Sequence, residues 1–139
     1  MEAFERRVRE SFARQAFMAT LGAQVREVRR GSIEIHFPFS GSLTQQNGFV
    51  HAGAITSILD SACGYAALSM VPEDHDVLSV EFKVNLLAPA VGEEFCARAH
   101  VKRAGKVLTV CAADAFASKS SQEKLLATML ATIMAVQRR

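Results

Sequence analysis

The sequence has few cysteines, and their spacing excludes two common kinds of small protein. Only three occur in the 139 residues: Cys63, Cys96 and Cys111. An odd number, without a CxxC pair or a Cys/His ligand spacing, favours neither a disulfide framework nor a zinc site. This usage fits a reducing compartment, and we expect a cytoplasmic protein.

Long uncharged stretches and an excess of one charge sign are also missing. No window approaches the roughly eighteen apolar residues of a membrane span, and charges interrupt the N-terminal stretch where a signal peptide is apolar. Sixteen basic and fourteen acidic side chains leave a formal charge of +2, without the concentrated basic face that nucleic acids require. We therefore expect neither a membrane nor a nucleic-acid partner.

The composition that remains is that of an ordinary globular protein. Half of the residues are apolar and 22% are charged, far from the composition of disordered chains. A chain of 139 residues can bury one sizeable core but hardly two. Residues 1–139 are predicted to form a single domain.

Two segments have the pattern of helices. Residues 2–20 place apolar side chains four apart among charged ones, which predicts an amphipathic helix on the outside of the core. Residues 52–71 are apolar on nearly every side, which predicts a buried helix about 30 Å long at 1.5 Å per residue. Pro72 closes this helix, and Asp60 is its only charged residue.

The other segments predict an antiparallel sheet. Two short strands join at Arg29-Arg30-Gly31 ahead of the buried helix. From Leu78 to Leu86, apolar residues alternate with polar ones, so we expect the apolar set to face a core. Residues 94–103 and 106–117 indicate two further strands, while residues 123–136 fit either a buried strand or a helix.

This order of elements predicts an α+β fold. No helices lie between the late strands to carry parallel crossovers, so the sheet of five or six strands is antiparallel. One long apolar helix between the hairpins buries its whole circumference only if the sheet curls round it or a second subunit covers what remains.

Asp60 is the residue that most suggests chemistry. A carboxylate in so apolar a helix is costly to desolvate, and burial of a carboxyl group raises its pKa toward the range useful for acid–base catalysis. Its neighbours one turn away, Thr56, Ser57, Cys63 and Gly64, are small or weakly polar, which leaves room for a cleft. A structural aspartate bonded to a nearby backbone group explains the pattern equally well.

The segment before this helix, residues 47–53, reads Asn47-Gly48-Phe49-Val50-His51-Ala52-Gly53. The first N–H groups of a helix have no intrahelical partner and lie at its positive end, so they can hold a developing oxyanion. Ala52 and Gly53 put little side chain in the way. His51 alone fits a hydrogen-bonded structural histidine better than a catalytic one.

Together, these spacings resemble a known family. Q-x-x-G-x-x-H-A-G, followed by an apolar helix with an Asp seven residues after the last Gly, is similar to the signature of hotdog-fold acyl-CoA thioesterases of the phenylacetate-degradation type. Members usually read N-x-x-G-x-x-H-G-G before a helix with Asp or Glu at this place. The run from Ser79 to Gly92 resembles the family's next strand and its Pro-x-x-Gly turn, and the likeness covers roughly residues 20–136.

The resemblance implies a hotdog fold and hydrolysis of an acyl- or aryl-acyl-CoA to free acid and CoA. It implies that Asp60 activates water or attacks the thioester carbon, while the Ala52 N–H polarises the carbonyl. The other implied positions are His51 in the turn, Gln45 near the thioester, Ser79 on the water, and Asn47, Gly48 and Gly53 along the substrate. Gln at 45 and Ala at 52 depart from the family's Asn and Gly.

A homo-oligomer is implied as well, either a dimer or a tetramer. Its active sites lie at the subunit interface, where the loop and helix start of one chain face Asp60 of its partner. Coenzyme A enters only as part of the substrate, and neither a cofactor nor a metal is needed. Lys83, Arg103 and Lys106 are candidates for binding its phosphates, although a solvated surface explains them better.

Two other functions remain open. His36-Phe37-Pro38 is similar to part of a dehydratase motif, so a hotdog hydratase or dehydratase acting on hydroxyacyl thioesters is one alternative. A non-catalytic acyl-CoA-binding protein is the other, although a pure binder gains little from Asp60. A serine or cysteine hydrolase is disfavoured, because the sequence has no G-x-S-x-G elbow and Cys63 has no obvious base. Pocket depth, and with it the acyl group, is expected to depend on the packing of Phe49, Leu59, Tyr65 and Met70.

Overall fold

A computed structural model describes residues 1–138 as a curled sheet around one central helix. The helices are α1 (Ala3–Arg14), α2 (Ala16–Leu21) and α3 (Ala52–Leu68), and the strands are β1 (Gln24–Arg29), β2 (Ser32–Pro38), β3 (His75–Leu86), β4 (Glu94–Ala104), β5 (Leu108–Lys119) and β6 (Gln122–Gln137). The strands form one antiparallel sheet in the order β1-β2-β4-β5-β6-β3. This is the predicted hotdog fold, with six strands.

The N-terminal helix forms, but in two pieces. Gln15 has an extended backbone, with φ −83° and ψ 98°, and it separates α1 from α2. The second piece ends at Gly22, where φ is 71°. Val8 in α1 and Met18 in α2 are buried against the rest of the chain, so both pieces rest on the core as predicted.

The central helix α3 packs its alanines and branched side chains against the concave face of the sheet. Ile58, Leu59 and Ala62 are wholly buried there. The helix ends three residues earlier than predicted, at Leu68. The Arg7 guanidinium of α1 donates hydrogen bonds to the carbonyl of Leu68 and, at 2.7 and 2.8 Å, to those of Val71 and Pro72. The Leu68 carbonyl is one that a helix end leaves without an intrahelical partner, so the guanidinium holds α1 against the end of α3.

Residues 122–137 form a strand, β6, which resolves the ambiguity of that segment. β6 lies between β5 and β3 and pairs with both. Its Ala127, Met129, Ala131 and Ile133 alternate along the strand and are buried against α3. The other face of β6 also carries apolar residues, among them Leu130, which is 53% exposed; because both faces are apolar, periodicity did not separate strand from helix.

The prediction for β3 is wrong in part. Of its alternating apolar set, only Val84 packs against the core; Leu78, Val80, Phe82 and Leu86 are 58%, 51%, 42% and 55% exposed. β3 is an edge strand, and a bulge between Ser79 and Glu81 shifts its alternation. Ser79 therefore shares the α3 side of the sheet with Phe82, since their partners Ile133 and Ala131 are both buried. The edge of the sheet is left open and apolar.

Among residues 1–138, no helix has both the length and the apolar character needed to cross a membrane.

Candidate active site

Asp60 lies on a strip of α3 that the rest of the chain leaves partly uncovered. Ser57, Ser61 and Gly64 share this strip, and all are half-buried. The expectation of a helix buried all round is therefore right for most of its circumference and wrong here. The Ser79 hydroxyl of β3 donates a 2.6 Å hydrogen bond to Asp60 Oδ1. Two residues that the sequence singled out separately are thus in contact.

The cleft beside this carboxylate, which we name the Asp60 cleft, has a volume of about 470 Å³. The floor is formed by α3, and β3 forms one wall with Ser79 and Asp76. The opposite wall comes from the N-terminal segment, through Ser11, Arg14 and Gln15. We predicted this segment to lie outside the core and expected no site residue in it. The available signal was a pair of polar residues, Ser11 and Gln15, one turn apart beside the apolar stripe.

His51 is the N-cap of α3. Its ring Nδ1 accepts a 2.7 Å hydrogen bond from the Gly53 N–H, which places the proton of the neutral ring on Nε2. A Cβ at position 53 would lie 2.9 Å from that nitrogen, so the capping ring requires glycine there. His51 therefore shapes the turn at the start of α3.

The Ala52 N–H is left available by this cap. No described residue accepts a hydrogen bond from it, whereas the N–H groups of Gly53 and Ala54 are both bonded to His51. Ala52 lines a second cleft of about 530 Å³, the helix-start cleft, together with Phe49 from the loop and Leu86 from the end of β3. An unpartnered N–H at the positive end of a helix is suited to a developing oxyanion.

Gln45 lines the same cleft and organises the loop. Its Oε1 accepts hydrogen bonds from the N–H groups of Asn47, at 2.6 Å, and Phe49, at 3.2 Å. The extra methylene relative to Asn thus serves a loop turn, in which Gly48 takes a left-handed φ of 85° that favours glycine. The Nε2 group has no acceptor within residues 1–138 and remains able to contact a substrate.

Within one chain, the oxyanion donor of Ala52 and the carboxylate of Asp60 do not lie close together. Ala52 and Asp60 are eight residues apart on α3, which is about 12 Å along the axis at 1.5 Å per residue. A single thioester carbonyl cannot touch both groups of the same chain. The clefts nevertheless lie along the same open side, beside opposite ends of β3.

The cationic candidates lie apart from both clefts. Lys83 pairs with the exposed Leu130 on the face of the sheet away from α3, and Arg103 and Lys106 lie at and beyond the end of β4. None of the three lines either cleft. Their contact with CoA phosphates stays a prediction.

Of the residues expected to set pocket depth, two line the clefts. Phe49 lines the helix-start cleft and Tyr65 lines the Asp60 cleft. Leu59 is wholly buried in the core. Met70 lies beyond the end of α3, within 3.0 Å of the position that a Cβ on Gly31 would take.

The cysteines have the character of packing residues. Cys63, three residues from Asp60, is wholly buried; burial raises the pKa of its thiol, and Cys111 and Asp60 add to that rise. Burial likewise raises the pKa of Cys96 and of Cys111 to about 11. A thiol nucleophile requires the opposite shift.

His36 does not share a site with Asp60. It lies between Ile35 and Phe37, both of which are wholly buried on the α3 side, and strand alternation therefore turns it to the other face of the sheet. There its Nδ1 is 3.4 Å from Glu94 Oε2. Within one chain, this histidine and the acid on α3 therefore lie on opposite sides of the sheet.

Replacement of His51 by alanine is expected to lower the free energy of unfolding by about 1 kcal/mol, because the Gly53 N–H loses its cap. His51→Asn is the matched control, since asparagine is among the best N-caps and should recover most of the loss. Denaturant unfolding of the three proteins measures the effect. Equal stability of the alanine variant and the wild type would contradict the capping role.

Comparisons with known proteins concern the family and the fold of the chain. A family model described as thioesterase superfamily matches residues 47–124. A crystal structure of a thioesterase family protein from Silicibacter pomeroyi has a TM-score of 0.95 and 50% sequence identity, covering 97% of this chain and 99% of that one. The E. coli PaaI protein, from the phenylacetic acid degradation operon, has a TM-score of 0.86 over 97% of this chain and 94% of its own; at 17% identity this likeness concerns the fold alone. A Saccharolobus solfataricus protein named provisionally as an esterase is 26% identical over 114 residues, which are 82% of this chain and 75% of its own.

Proposed function

The chain belongs to the thioesterase superfamily, and we propose that it hydrolyses acyl-CoA thioesters to free acid and CoA at a site shared by two copies of the chain. The main support is the division of chemical groups between two clefts. The carboxylate of Asp60 and the hydroxyl of Ser79 lie in one, and the unpartnered Ala52 N–H lies in the other. Each cleft holds the half that the other lacks.

A dimer formed through β3 would join these halves. β3 is a sheet edge with exposed apolar side chains, and an open edge of this kind is a template for pairing with another strand. Antiparallel pairing of two β3 strands sets the start of one beside the end of the other. Ser79 lies toward the start of β3 at the Asp60 cleft, and Leu86 ends β3 at the helix-start cleft. A two-fold axis would therefore bring the Asp60 cleft of each chain to the helix-start cleft of its partner.

The proposed reaction uses protein groups and water. Asp60, with one carboxylate oxygen held by the Ser79 hydroxyl, removes a proton from a water molecule. As that proton leaves, the oxygen of the water bonds to the thioester carbon. The carbonyl oxygen gains negative charge and accepts the Ala52 N–H of the partner, which stabilises the tetrahedral intermediate. Collapse breaks the carbon–sulfur bond, the CoA sulfur takes the proton, and the free acid leaves. In direct attack at the same contacts, the Asp60 carboxylate displaces the CoA thiolate and forms an anhydride with the acyl group. Water then hydrolyses the anhydride to the free acid and the Asp60 carboxylate, and the released proton goes to the thiolate.

Thiol release from a panel of acyl-CoAs tests the proposal. We expect the wild-type protein to release CoA from short, medium, long or aromatic acyl-CoAs, with a clear preference among them. Tight binding without turnover would replace the proposal with a binding protein. Conversion of a 3-hydroxyacyl-CoA to an enoyl product would replace it with a dehydratase.

A further inference from the structure

A set of polar side chains lies in the Asp60 cleft without a part in the proposed reaction. Gln15 donates from Nε2 to the Tyr65 hydroxyl at 2.9 Å, and its Oε1 accepts from the Ser61 hydroxyl at 3.2 Å. The Ser11 hydroxyl lies 3.2 Å from that of Tyr65. We name these four residues, Ser11, Gln15, Ser61 and Tyr65, the polar wall. All of them line the cleft, and Tyr65 is only 8% exposed.

The Tyr65 end of the polar wall lies away from the reacting carbon, whereas Ser61 directly follows Asp60. Tyr65 follows Asp60 by five residues on α3, about 7.5 Å along the helix axis at 1.5 Å per residue. A substrate with its carbonyl beside Asp60 and one arm in this cleft would therefore place that arm's far end at the Tyr65 hydroxyl. The identity of the arm, acyl group or CoA, then decides what the wall recognises.

Charge favours the acyl group. The Asp60 cleft is lined by two carboxylates, Asp60 and Asp76, against one cation, Arg14, and this balance repels the phosphates of CoA. The helix-start cleft reaches Ala90, whose neighbour Val91 lines a third cleft together with Lys119, Lys124 and Glu123. The Glu123 carboxylate is already paired with Arg98. CoA bound along the helix-start cleft would therefore extend toward these lysines, and the acyl group would lie in the Asp60 cleft.

Hydrogen-bond capacity adds a chemical preference. Gln15 already uses its carbonyl on Ser61 and its amide on Tyr65, so Tyr65 is an acceptor toward Gln15. The hydroxyl protons of Tyr65 and Ser11 can rotate. When one of these hydroxyls donates to the other, the second still has its proton free to donate to a ligand. An acyl group that ends in a methyl would displace water from these groups without replacing its hydrogen bonds.

On the basis of the proposed function, we infer that the polar wall selects acyl groups whose far end carries a hydrogen-bonding group such as a hydroxyl. Tyr65 is the specificity-determining residue, with Gln15 as the positioning residue that orients its hydroxyl. The N-terminal segment is thus part of the substrate site, through a side chain at the point where α1 and α2 separate.

Matched substrate pairs test this inference. ω-Hydroxyhexanoyl-CoA and heptanoyl-CoA differ only in a hydroxyl or a methyl at the end, as do ω-hydroxyoctanoyl-CoA and nonanoyl-CoA. We expect the wild-type protein to favour the hydroxyl member of at least one pair by about tenfold in kcat/KM, the scale of one hydrogen bond. Tyr65→Phe should remove that preference by lowering kcat/KM for the hydroxyl member alone.

Arg7→Met is the matched control. Arg7 also ties α1 to the end of α3, through the carbonyls of Leu68 and Val71, and its own side chain does not line the Asp60 cleft. We expect this variant to lose stability and to keep the wild-type preference. A purely structural role for Tyr65 would instead make the two variants behave alike.

Equal or better turnover of the methyl members by the wild type would overturn the inference, as would a Tyr65→Phe variant with unchanged selectivity. Calorimetric binding of the corresponding S-alkyl-CoA thioethers, which cannot be hydrolysed, separates this result from the proposed function. A hydroxyl preference in binding without any thioester turnover would overturn the proposed hydrolysis and support the polar wall. Turnover without a hydroxyl preference would do the reverse.

Discussion

Replacement of Asp60 by asparagine is expected to lower kcat at least about a hundredfold, the scale of a positioned acid–base group. Asparagine has nearly the same shape, and its Oδ1 can still accept the hydrogen bond from Ser79. The variant loses only the charge and the basicity that remove a proton from water or attack the thioester carbon. Its fold and oligomeric state should therefore be unchanged.

Thiol release from an acyl-CoA measures the loss of kcat, and circular dichroism shows whether the fold is unchanged. Asp60→Glu is the control, because it keeps a carboxylate at this place, as the Asp-or-Glu signature noted for the sequence allows. It should retain more activity than the asparagine variant. Because the lost interaction is made in the transition state, we expect kcat to fall and KM to change little. Full activity in a folded Asp60→Asn protein would rule out Asp60 as the acting carboxylate.

The central helix and its carboxylate could be predicted from the sequence, because a segment that is apolar over several helical turns has few alternatives to a buried helix. A single charge in such a run stands out, and the spacing from His51 to Asp60 linked it to a helix start. The cap on Gly53 depends on the same local geometry, so the role of His51 could be anticipated. Local signals of this kind are carried by neighbouring residues.

The arrangement of β3 could not be predicted in the same way. Its alternation is regular from Leu78 to Leu86 in the sequence, but a bulge at Val80 changes which residues face α3. Bulges depend on the pairing of two strands, here β3 and β6, which are far apart in the chain. The contact of Ser79 with Asp60 follows from that pairing, since an unbroken strand would alternate Ser79 away from Val84.

The contacts of the N-terminal segment could not be predicted either, because the polar pair Ser11 and Gln15 does not indicate which residues it touches. Gln15 reads as a polar residue near the end of an amphipathic helix, whereas its side chain bonds to both Ser61 and Tyr65. The break between α1 and α2 at Gln15 accompanies these bonds to α3. No local pattern reports a contact between residues about fifty positions apart.

Two inactive variants are expected to restore activity to each other. Ala52→Pro removes the proposed oxyanion donor, with a loss of about a hundredfold or more, and does so without opposing the helix. Proline is favoured at the first helical position, and His51, with φ −61° and ψ 137°, already has the extended backbone that precedes proline. Ala52→Gly, which keeps the N–H, is the matched control and should remain active.

Co-refolding of equal amounts of Asp60→Asn and Ala52→Pro proteins, followed by thiol release from an acyl-CoA that the wild type hydrolyses, tests the shared site most directly. Random pairing makes half of the dimers mixed, and in each mixed dimer one site combines an intact Asp60 with an intact Ala52 N–H. The account predicts about a quarter of wild-type activity. Activity no greater than the sum of the two separate variants, in a sample shown to contain mixed dimers, would contradict it.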